Sequence, residues 1–303
     1  MKKKNNKKYG HSFNTTNIAK RGLSLGGTIV LCILLLFYGF YAYTKTGTVV
    51  PTAELFDGKP TFRFVDVGQG SCTLITYGAH AVLVDAGGSG CADETAEYVR
   101  LYAPSVDYMI ITHPHEDHMG GAAKILSQIN VDTLVMRDIS VSEKFYVSAL
   151  SAAKKHGTEI ERVSSASEYD AGEIHIELFD IFDLEYDDLN DASMVVRVTA
   201  GKTSVLLTGD AGRDAEALLL WRDGDKLASD ILALGHHGSN TSTSEGFLSA
   251  VSPEKCVVSC GKNNSYGHPA PAVVQRVKAS GAELYRTDRQ GTVVLRGETD
   301  EKE

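Results

Sequence analysis

Three histidines and an aspartate stand within six consecutive positions of this chain: His113, His115, Asp117 and His118. Imidazole and carboxylate groups are the ligands that borderline divalent ions such as zinc prefer in proteins. In an extended or looped His-x-His, the two histidine side chains lie on the same side of the backbone and can share one ion. Asp117 and His118 then turn towards a second ion. The spacing therefore predicts a site for two divalent metal ions, with zinc as the expected metal and manganese as the alternative.

Two further candidate ligands follow predicted strands in the second half of the chain. Asp210 comes after the apolar run 204–208 and a glycine, which places a carboxylate at the end of a strand. His236 follows the run 231–234 in the same way, and we predict that it binds the second ion. His237 must point in a different direction, so we assign it to the substrate or the leaving group. The sequence leaves open which of the two histidines binds the metal.

The elements that position these residues are short runs rich in β-branched residues, several of which alternate with stretches of helical periodicity. The order predicts two sheets with helices on their outer faces, an α/β fold of the αββα sandwich type. The predicted strands are 62–67, 72–76, 81–85, 108–112, 133–136, 159–163, 174–179, 194–199, 204–208, 231–234, 255–259 and 292–295. The predicted helices are 93–103, 121–129, 143–156, 213–221 and 272–280.

Six blocks of sequence, in this order, resemble one known family. They are FVDVGQGS (64–71), LVDAG (83–87), HPHEDH (113–118), LLTGD (206–210), HHGS (236–239) and YGHP (266–269). The third block is similar to the signature of the metallo-β-lactamase-fold hydrolases. Together the blocks resemble the C-terminal hydrolase domain of the ComEC/Rec2 competence proteins, over about residues 60–296.

The resemblance implies roles for residues outside the histidine block. Asp210 would bridge the two ions. Asp85 would hold the loop of the histidine block (113–118), called the histidine loop below, by hydrogen bonds. Asp66 belongs to the first block, where a tight turn explains it equally well. His268 either donates to a phosphate or transition-state oxygen or is a capped, partly exposed histidine. The predicted catalytic residues are Asp117, His237 and His268.

One departure from the metallo-β-lactamase pattern concerns the first metal. Those enzymes supply a third histidine from a motif between the histidine block and the later aspartate, whereas this stretch holds only His156 and His175, in a predicted helix and strand. Asn190 and Ser193 stand before strand 194–199 instead, as in the competence-type subgroup. We therefore expect a first metal that is bound more weakly or completed by water and substrate, which leaves the open position that a catalytic ion requires.

The N-terminal segment predicts a membrane anchor. Residues 1–22 hold seven Lys or Arg and no acid, and residues 23–44 are free of charge over 22 positions. That length spans a hydrocarbon core of about 30 Å. Because positive flanks stay in the cytoplasm, we predict a cell-membrane protein that crosses once, with a cytoplasmic N-terminus and an extracytoplasmic hydrolase domain. A cleaved signal peptide and a buried soluble helix are the alternatives.

The predicted organisation is a basic cytoplasmic tail (1–22), a transmembrane anchor (23–44), a linker (45–60), the hydrolase domain (61–296) and an acidic tail (297–303). After residue 43 the chain carries 23 basic and 39 acidic residues, a balance of −16. A protein that binds a polyanion such as DNA needs a basic surface, so this acidic balance argues against a long nucleic-acid-binding groove. Two divalent ions would restore about four positive charges at the site.

These features predict a metal-dependent hydrolase of phosphodiester bonds that uses water activated by two ions. The expected substrate is a small phosphodiester or an oligonucleotide; long DNA and transport of DNA are not implied. Hydrolysis of a carboxylic ester, thioester or lactam is one alternative, because the same site stabilises a tetrahedral oxyanion. A non-enzymatic envelope protein stabilised by its metal is the other.

Overall fold

A computed structural model describes residues 58–179, 181–182 and 188–299. The predicted basic tail, the anchor, most of the linker and residues 300–303 lie outside the described residues. Within the described ranges, no helix combines the length and the hydropathy that crossing a bilayer requires.

The described residues form fourteen strands and eight α-helices. The strands are β1 (Thr61–Phe64), β2 (Thr73–Tyr77), β3 (His80–Val84), β4 (Ser105–Ile111), β5 (Asn130–Arg137), β6 (Glu159–Val163), β7 (Ser167–Ala171), β8 (Ile174–Leu178), β9 (Val196–Ala200), β10 (Thr203–Leu207), β11 (Ile231–Ala233), β12 (Lys255–Val258), β13 (Glu283–Arg286) and β14 (Val293–Arg296). The helices are α1 (Ala92–Tyr102), α2 (Glu116–Met119), α3 (Ala122–Gln128), α4 (Lys144–His156), α5 (Arg213–Asp223), α6 (Glu245–Val251), α7 (Pro271–Ser280) and α8 (Thr287–Gln290).

Two seven-stranded sheets organise the fold. The first has the order β14-β1-β2-β3-β4-β5-β6 and the second the order β13-β12-β11-β10-β9-β8-β7. Strands β3 to β6 run parallel to one another, as do β10 to β13. The carboxyl ends of parallel strands meet at one edge of a sheet, where α/β folds bind their ligands.

Three apolar layers hold the sandwich together. Phe62 from the first sheet and Ile176 from the second are fully buried in the layer between the sheets. Ile125 of α3 lies in the layer between helices and the first sheet, and Leu219 of α5 and Phe247 of α6 lie in the corresponding layer on the second sheet. The two sheets flanked by helices confirm the predicted sandwich.

Strand β3 shows why the central strands read as continuous apolar runs. Val82 packs in the layer between the sheets, whereas its neighbour Leu83 packs in the layer under the helices, and both are fully buried. Because successive side chains point to opposite faces, a strand covered on both faces has no polar alternation.

Strands β7 and β13 were not predicted from the sequence. Both lie at the edges of the second sheet, and the sequence of β7, Ser-Glu-Tyr-Asp-Ala, is mostly polar. An edge strand has less apolar surface to bury, so it lacks the run of β-branched residues that marks a central strand. Helix α6 was also missed, because its seven residues are too few to show helical periodicity.

Candidate metal centre

The candidate ligands lie beyond the carboxyl ends of parallel strands in both sheets. His113 follows β4, Asp210 follows β10 and His237 follows β11. The aspartate between them, Asp117, lies on the short helix α2. The two sheets thus deliver side chains from distant parts of the chain to one edge of the sandwich.

Four of these side chains form a compact cluster: Asp117, His118, Asp210 and His237. His237 Nε2 lies 3.1 Å from Asp117 Oδ2 and 3.3 Å from His118 Nε2. His118 Nε2 lies 3.1 Å from Asp210 Oδ1. All of these residues except Asp117 are buried, with at most 5% of their surface exposed.

Hydrogen bonds on the far side of two rings determine which nitrogen carries the proton. His237 Nδ1 donates to the carbonyl oxygen of Ser259 at 2.9 Å, and His118 Nδ1 donates to Asp85 Oδ2 at 2.7 Å. Since a carbonyl or carboxylate oxygen only accepts, each Nδ1 carries its ring's hydrogen. In the neutral rings both Nε2 atoms then present lone pairs to the cluster, as histidine ligands of metals do.

His113 is oriented in the same way through Thr112. The Thr112 hydroxyl lies 2.9 Å from Asp85 Oδ1 and donates to that carboxylate, so its oxygen is left to accept from His113 Nδ1 at 3.2 Å. Ser193 Oγ also lies 3.1 Å from His113 Nδ1 and accepts a hydrogen bond from the Asp210 backbone at 3.0 Å. His113 Nε2 consequently faces Asp210, with 4.0 Å between Nε2 and Oδ2.

The donor set fits a divalent cation. His113 Nε2 and Asp210 Oδ1 are buried without a hydrogen-bond partner among the described residues, and His118 Nε2 lies 3.1 Å from Asp210 Oδ1. Lone-pair atoms about 3 Å apart repel unless a positive charge lies between them. Imidazole nitrogen and carboxylate oxygen are donor types that bind borderline divalent cations.

The pKa values of the cluster are shifted by burial and by the opposite charges packed together there. Burial lowers the pKa of His113 well below its ordinary value, and the charge of His118 adds to that shift. Burial also acts to lower the pKa of His118, but Asp210 and Asp85 outweigh it and raise that pKa. Burial acts to raise the pKa of Asp117, yet the contact with His237 and the charge of His118 lower it to about 2. The pKa of Asp210 is lowered by His118 and His237 against the opposing effect of burial.

Of the two adjacent histidines, His237 belongs to the compact cluster and His236 lies beside it. Both have left-handed backbone conformations, with φ of 50° at His236 and 55° at His237. His237 turns into the cluster, whereas the side chain of His236 is 27% exposed, with its Nε2 3.7 Å from Asp210 Oδ2. His236 Nδ1 contacts Thr241 Oγ1 at 3.2 Å.

A surface pocket opens onto the cluster through Asp210 and His236. It has a volume of about 480 Å³. Its other charged or amide side chains are Asp188, Asn190, Asp191, Arg213, Asp214 and Asn240. The pKa of Asp191 is raised by burial and by the neighbouring charges of Asp188 and Asp214. The mouth of the site therefore carries an excess of negative charge.

Four other predicted site residues lie outside the four-residue cluster: His115, Asn190, His268 and Asp66. The ring of His115 lies 4.7 Å from that of His113, between centroids. Asn190 Oδ1 is buried without a partner among the described residues, at the wall of the pocket. His268 lies next to His236, with ring centroids 5.9 Å apart, and burial lowers the pKa of its imidazole. Asp66 is exposed and accepts a hydrogen bond from Gly68 N at 3.1 Å, as a turn residue does.

Glycines of two motifs allow the loops to approach one another. A side chain at Gly70 would place its Cβ 2.5 Å from the carbonyl oxygen of Asp117, and the residue has a φ of +151°. Gly121 packs equally closely on the carbonyl of Ala86. The first contact holds the histidine loop against the loop that carries Gly70, and the second holds the start of α3 against the loop that carries Asp85.

Sequence reasoning missed Thr112 and the carbonyl of Ser259. Thr112 directly precedes the histidine block, and its position at the end of β4 was the available signal. The Ser259 carbonyl had no signal, because any residue type supplies a backbone oxygen.

Comparison with known proteins places the chain in a family. The family model for the metallo-beta-lactamase superfamily matches residues 65–262. The chain belongs to the metallo-beta-lactamase superfamily. Its similarity to competence proteins also confirms the resemblance drawn from the six sequence blocks.

Two curated relatives are competence proteins. The chain is 33% identical over 276 residues to competence protein ComA of Neisseria gonorrhoeae, a match that covers 90% of this chain and 36% of that protein. It is 28% identical over 304 residues to ComE operon protein 3 of Bacillus subtilis (strain 168), covering 92% of this chain and 37% of that protein. The chain thus spans little more than a third of the length of these relatives.

Solved structures show the same fold at low sequence identity. The metallo-beta-lactamase fold protein YhfI from Bacillus subtilis superposes with a TM-score of 0.54 at 14% identity, covering 78% of this chain and 100% of that chain. Igni18, a metallo hydrolase from Ignicoccus hospitalis KIN4/I, gives a TM-score of 0.54 at 17% identity, with the same coverage of 78% and 100%.

Proposed function

We propose that this protein is a metal-dependent hydrolase of phosphodiester bonds. The observation that carries the proposal is the buried cluster of lone-pair atoms that opens, through Asp210 and His236, onto a surface pocket. A structural zinc site is usually closed by four ligands and rich in cysteine. This cluster has no cysteine and reaches solvent, which favours catalysis over a purely stabilising role.

The residues that would hold the ions fall into two groups that share Asp210. Asp117, His118 and His237 would bind one ion with Asp210, and His113 and His115 would bind the other. This exchanges the roles predicted for His236 and His237. Divalent ions held there supply positive charge that lowers the pKa of water and stabilises charge developing on phosphate oxygens.

The side chains around the cluster handle the substrate and its proton. Hydrolysis joins the oxygen of water to phosphorus and breaks the bond from phosphorus to the leaving oxygen, which then takes up a proton. His236 lines the mouth and is placed to deliver that proton from Nε2. His268, beside it, is placed to donate to a phosphate oxygen. Asp85, Thr112 and Ser193 keep the histidine rings in their orientation.

Two observations favour a phosphodiester over a lactam. Asn190 and Ser193 stand where metallo-β-lactamases supply a histidine, and Ser193 Oγ lies 3.1 Å from His113 Nδ1. The curated relatives are competence proteins.

We also propose that residues 23–44 anchor the protein in the cell membrane, with the hydrolase domain outside.

A two-reporter assay on the full chain in detergent tests the proposal. We expect turnover of bis-p-nitrophenyl phosphate with Zn²⁺ or Mn²⁺, loss of turnover with a chelator, and no turnover of a chromogenic β-lactam. The Asp210→Ala variant should be folded by circular dichroism but inactive. Turnover of the lactam alone would refute the phosphodiester assignment. Absence of turnover in the wild type, with unfolding on chelation, would support the stabilising role.

A further inference from the structure

Tyr266 presents an aromatic face to solvent next to the candidate site. The residue is 69% exposed. Its ring stacks on His268 with 5.6 Å between centroids and 25° between planes. Among the described residues, the other large hydrophobic side chains that are exposed are Val147, Trp221 and Val294.

A row of rings connects Tyr266 to the cluster. His268 lies between Tyr266 and His236, and meets the His236 ring edge-on at 74°, with 5.9 Å between centroids. His236 Nε2 lies 3.7 Å from Asp210 Oδ2. A group that stacks on the free face of Tyr266 is therefore separated from His236 by two rings, those of Tyr266 and His268.

The loop that carries Tyr266 is held by hydrogen bonds at both ends. Asn264 Nδ2 donates to the carbonyl oxygens of Gly261 at 2.9 Å and His268 at 2.7 Å, and Asn264 Oδ1 accepts from His268 N at 2.9 Å. Gln69 Oε1, from the first sequence block, accepts from Gly261 N at 3.1 Å. A ring fixed before binding loses little conformational entropy when a ligand stacks on it.

The charge at the mouth bears on what this ring binds. Asp188, Asp191 and Asp214 line the pocket beside Asp210, and their carboxylates repel additional phosphates of a substrate. Affinity for a nucleotide must then come from its base. Every nucleobase has a flat face that stacks on a tyrosine, largely independent of sequence.

We propose that Tyr266 is a specificity-determining residue that stacks a nucleobase of the substrate next to the scissile phosphate. The inference rests on the proposed phosphodiesterase function and names its substrate class: nucleotide diesters and short single-stranded oligonucleotides.

The test compares two substrates that release the same product. Thymidine 5′-(p-nitrophenyl phosphate) carries a base, whereas methyl p-nitrophenyl phosphate does not. The full chain is assayed as wild type, Tyr266→Ala and Tyr266→Phe. Trp221→Ala is the control, because Trp221 is also an exposed aromatic residue (80%), on α5, and its ring contacts Arg222 and not the row of rings at the site.

Tyr266→Ala should lower kcat/KM for the thymidine substrate by about 5- to 150-fold, the range expected for the loss of one stacked base. The loss should fall mainly on KM, because stacking stabilises bound substrate and transition state alike. Tyr266→Phe and Trp221→Ala should retain wild-type values, and the methyl substrate should be unaffected by all three changes.

An equal loss for both substrates would overturn the inference, because it would mean that Tyr266 only supports His268 or contacts the shared p-nitrophenyl group. Unchanged values for both substrates would overturn it as well. If wild type turned over neither substrate, the proposed function itself would fail, and the inference with it.

Discussion

The second histidine of the pair at 236–237, His237, is the one whose surroundings suit a metal ligand. Its Nδ1 donates a hydrogen bond to the Ser259 carbonyl, so Nε2 has a lone pair with which it can bind an ion within the cluster. His236 is partly exposed at the mouth of the pocket. His237 is buried and oriented, whereas His236 is partly exposed. We therefore expect that removing each side chain has a different effect on metal binding and on turnover.

Replacing His237 with Ala should lower the affinity for zinc by about tenfold or more, because a ligand is lost. Replacing His236 with Ala should leave metal content unchanged and lower kcat/KM by about 100-fold, the lower range for a proton donor. Metal content after dialysis against a weak chelator, together with turnover of bis-p-nitrophenyl phosphate, distinguishes the two effects. Loss of metal in the His236 variant and retention in the His237 variant would restore the arrangement predicted from sequence.

The Asp85 carboxylate is almost completely buried and binds Thr112 and His118 at once. Asn tolerates the left-handed backbone of this position, where φ is 61°, but its amide offers one acceptor oxygen. Asp85→Asn should therefore weaken metal binding by about 10- to 100-fold, measured by competition with a chelating dye. The control is Asp66→Asn, at an exposed turn, which should bind metal as the wild type does. Equal affinity in both variants would show that Asp85 does not orient the ring.

At the scale of elements, the histidine loop is positioned by close backbone contacts as much as by strands. Helix α3 begins after Gly121, whose N–H donates to the carbonyl of Gly87 at 2.9 Å. A Cβ at Gly121 would collide with the carbonyl of Ala86. The loop after β3 and the start of α3 can therefore meet only with glycine there.

Gly121→Ala should destabilise the fold by about 1–3 kcal/mol, since the backbone must shift to relieve the contact. It should also weaken metal binding, because the loop carrying Asp85 moves. Gly90→Ala is the matched control, because a Cβ added at Gly90 would meet no atom within 4 Å and the residue has no positive φ. Thermal unfolding in the presence of a chelator measures the first effect without a contribution from metal. Similar melting temperatures for both variants would contradict the close-contact explanation.

At the scale of the whole molecule, charge limits the substrates. Beyond residue 43 the chain carries a balance of −16, from 23 basic and 39 acidic residues, and carboxylates line the site pocket. The acidic excess beyond residue 43 disfavours the neutralisation of many phosphates by Lys and Arg, which is what releases the counterions condensed on a polyanion.

We therefore expect kcat/KM for bis-p-nitrophenyl phosphate and for short oligonucleotides to change by less than about twofold between 50 and 200 mM salt. Long single-stranded DNA should be a poorer substrate than a dinucleotide at equal phosphate concentration. A fall of about 1,000-fold in DNA cleavage over the same salt range would instead reveal an extended phosphate-binding surface.

Much of the fold and the composition of the site could be read from the sequence. The alternation of β-branched runs and periodic helices predicts the sandwich, because burial on one face or both leaves a period that local sequence records. The ligand types and their position after strands were also predictable, since a carboxylate or histidine that follows an apolar run must lie at a strand end.

Only the tertiary structure decided which side chains meet. His237, and not His236, joins the four-residue cluster, on a backbone with positive φ at both residues. The orientation of His237 depends on the carbonyl of Ser259, directly after β12, which no residue type indicates. The exposure of Tyr266 and its stacking on His268, two residues further along the same loop, depend on the conformation that the hydrogen bonds of Asn264 give to this loop. Local sequence determines spacing along one strand, whereas the distance between strand ends in two different sheets is determined only when both sheets pack.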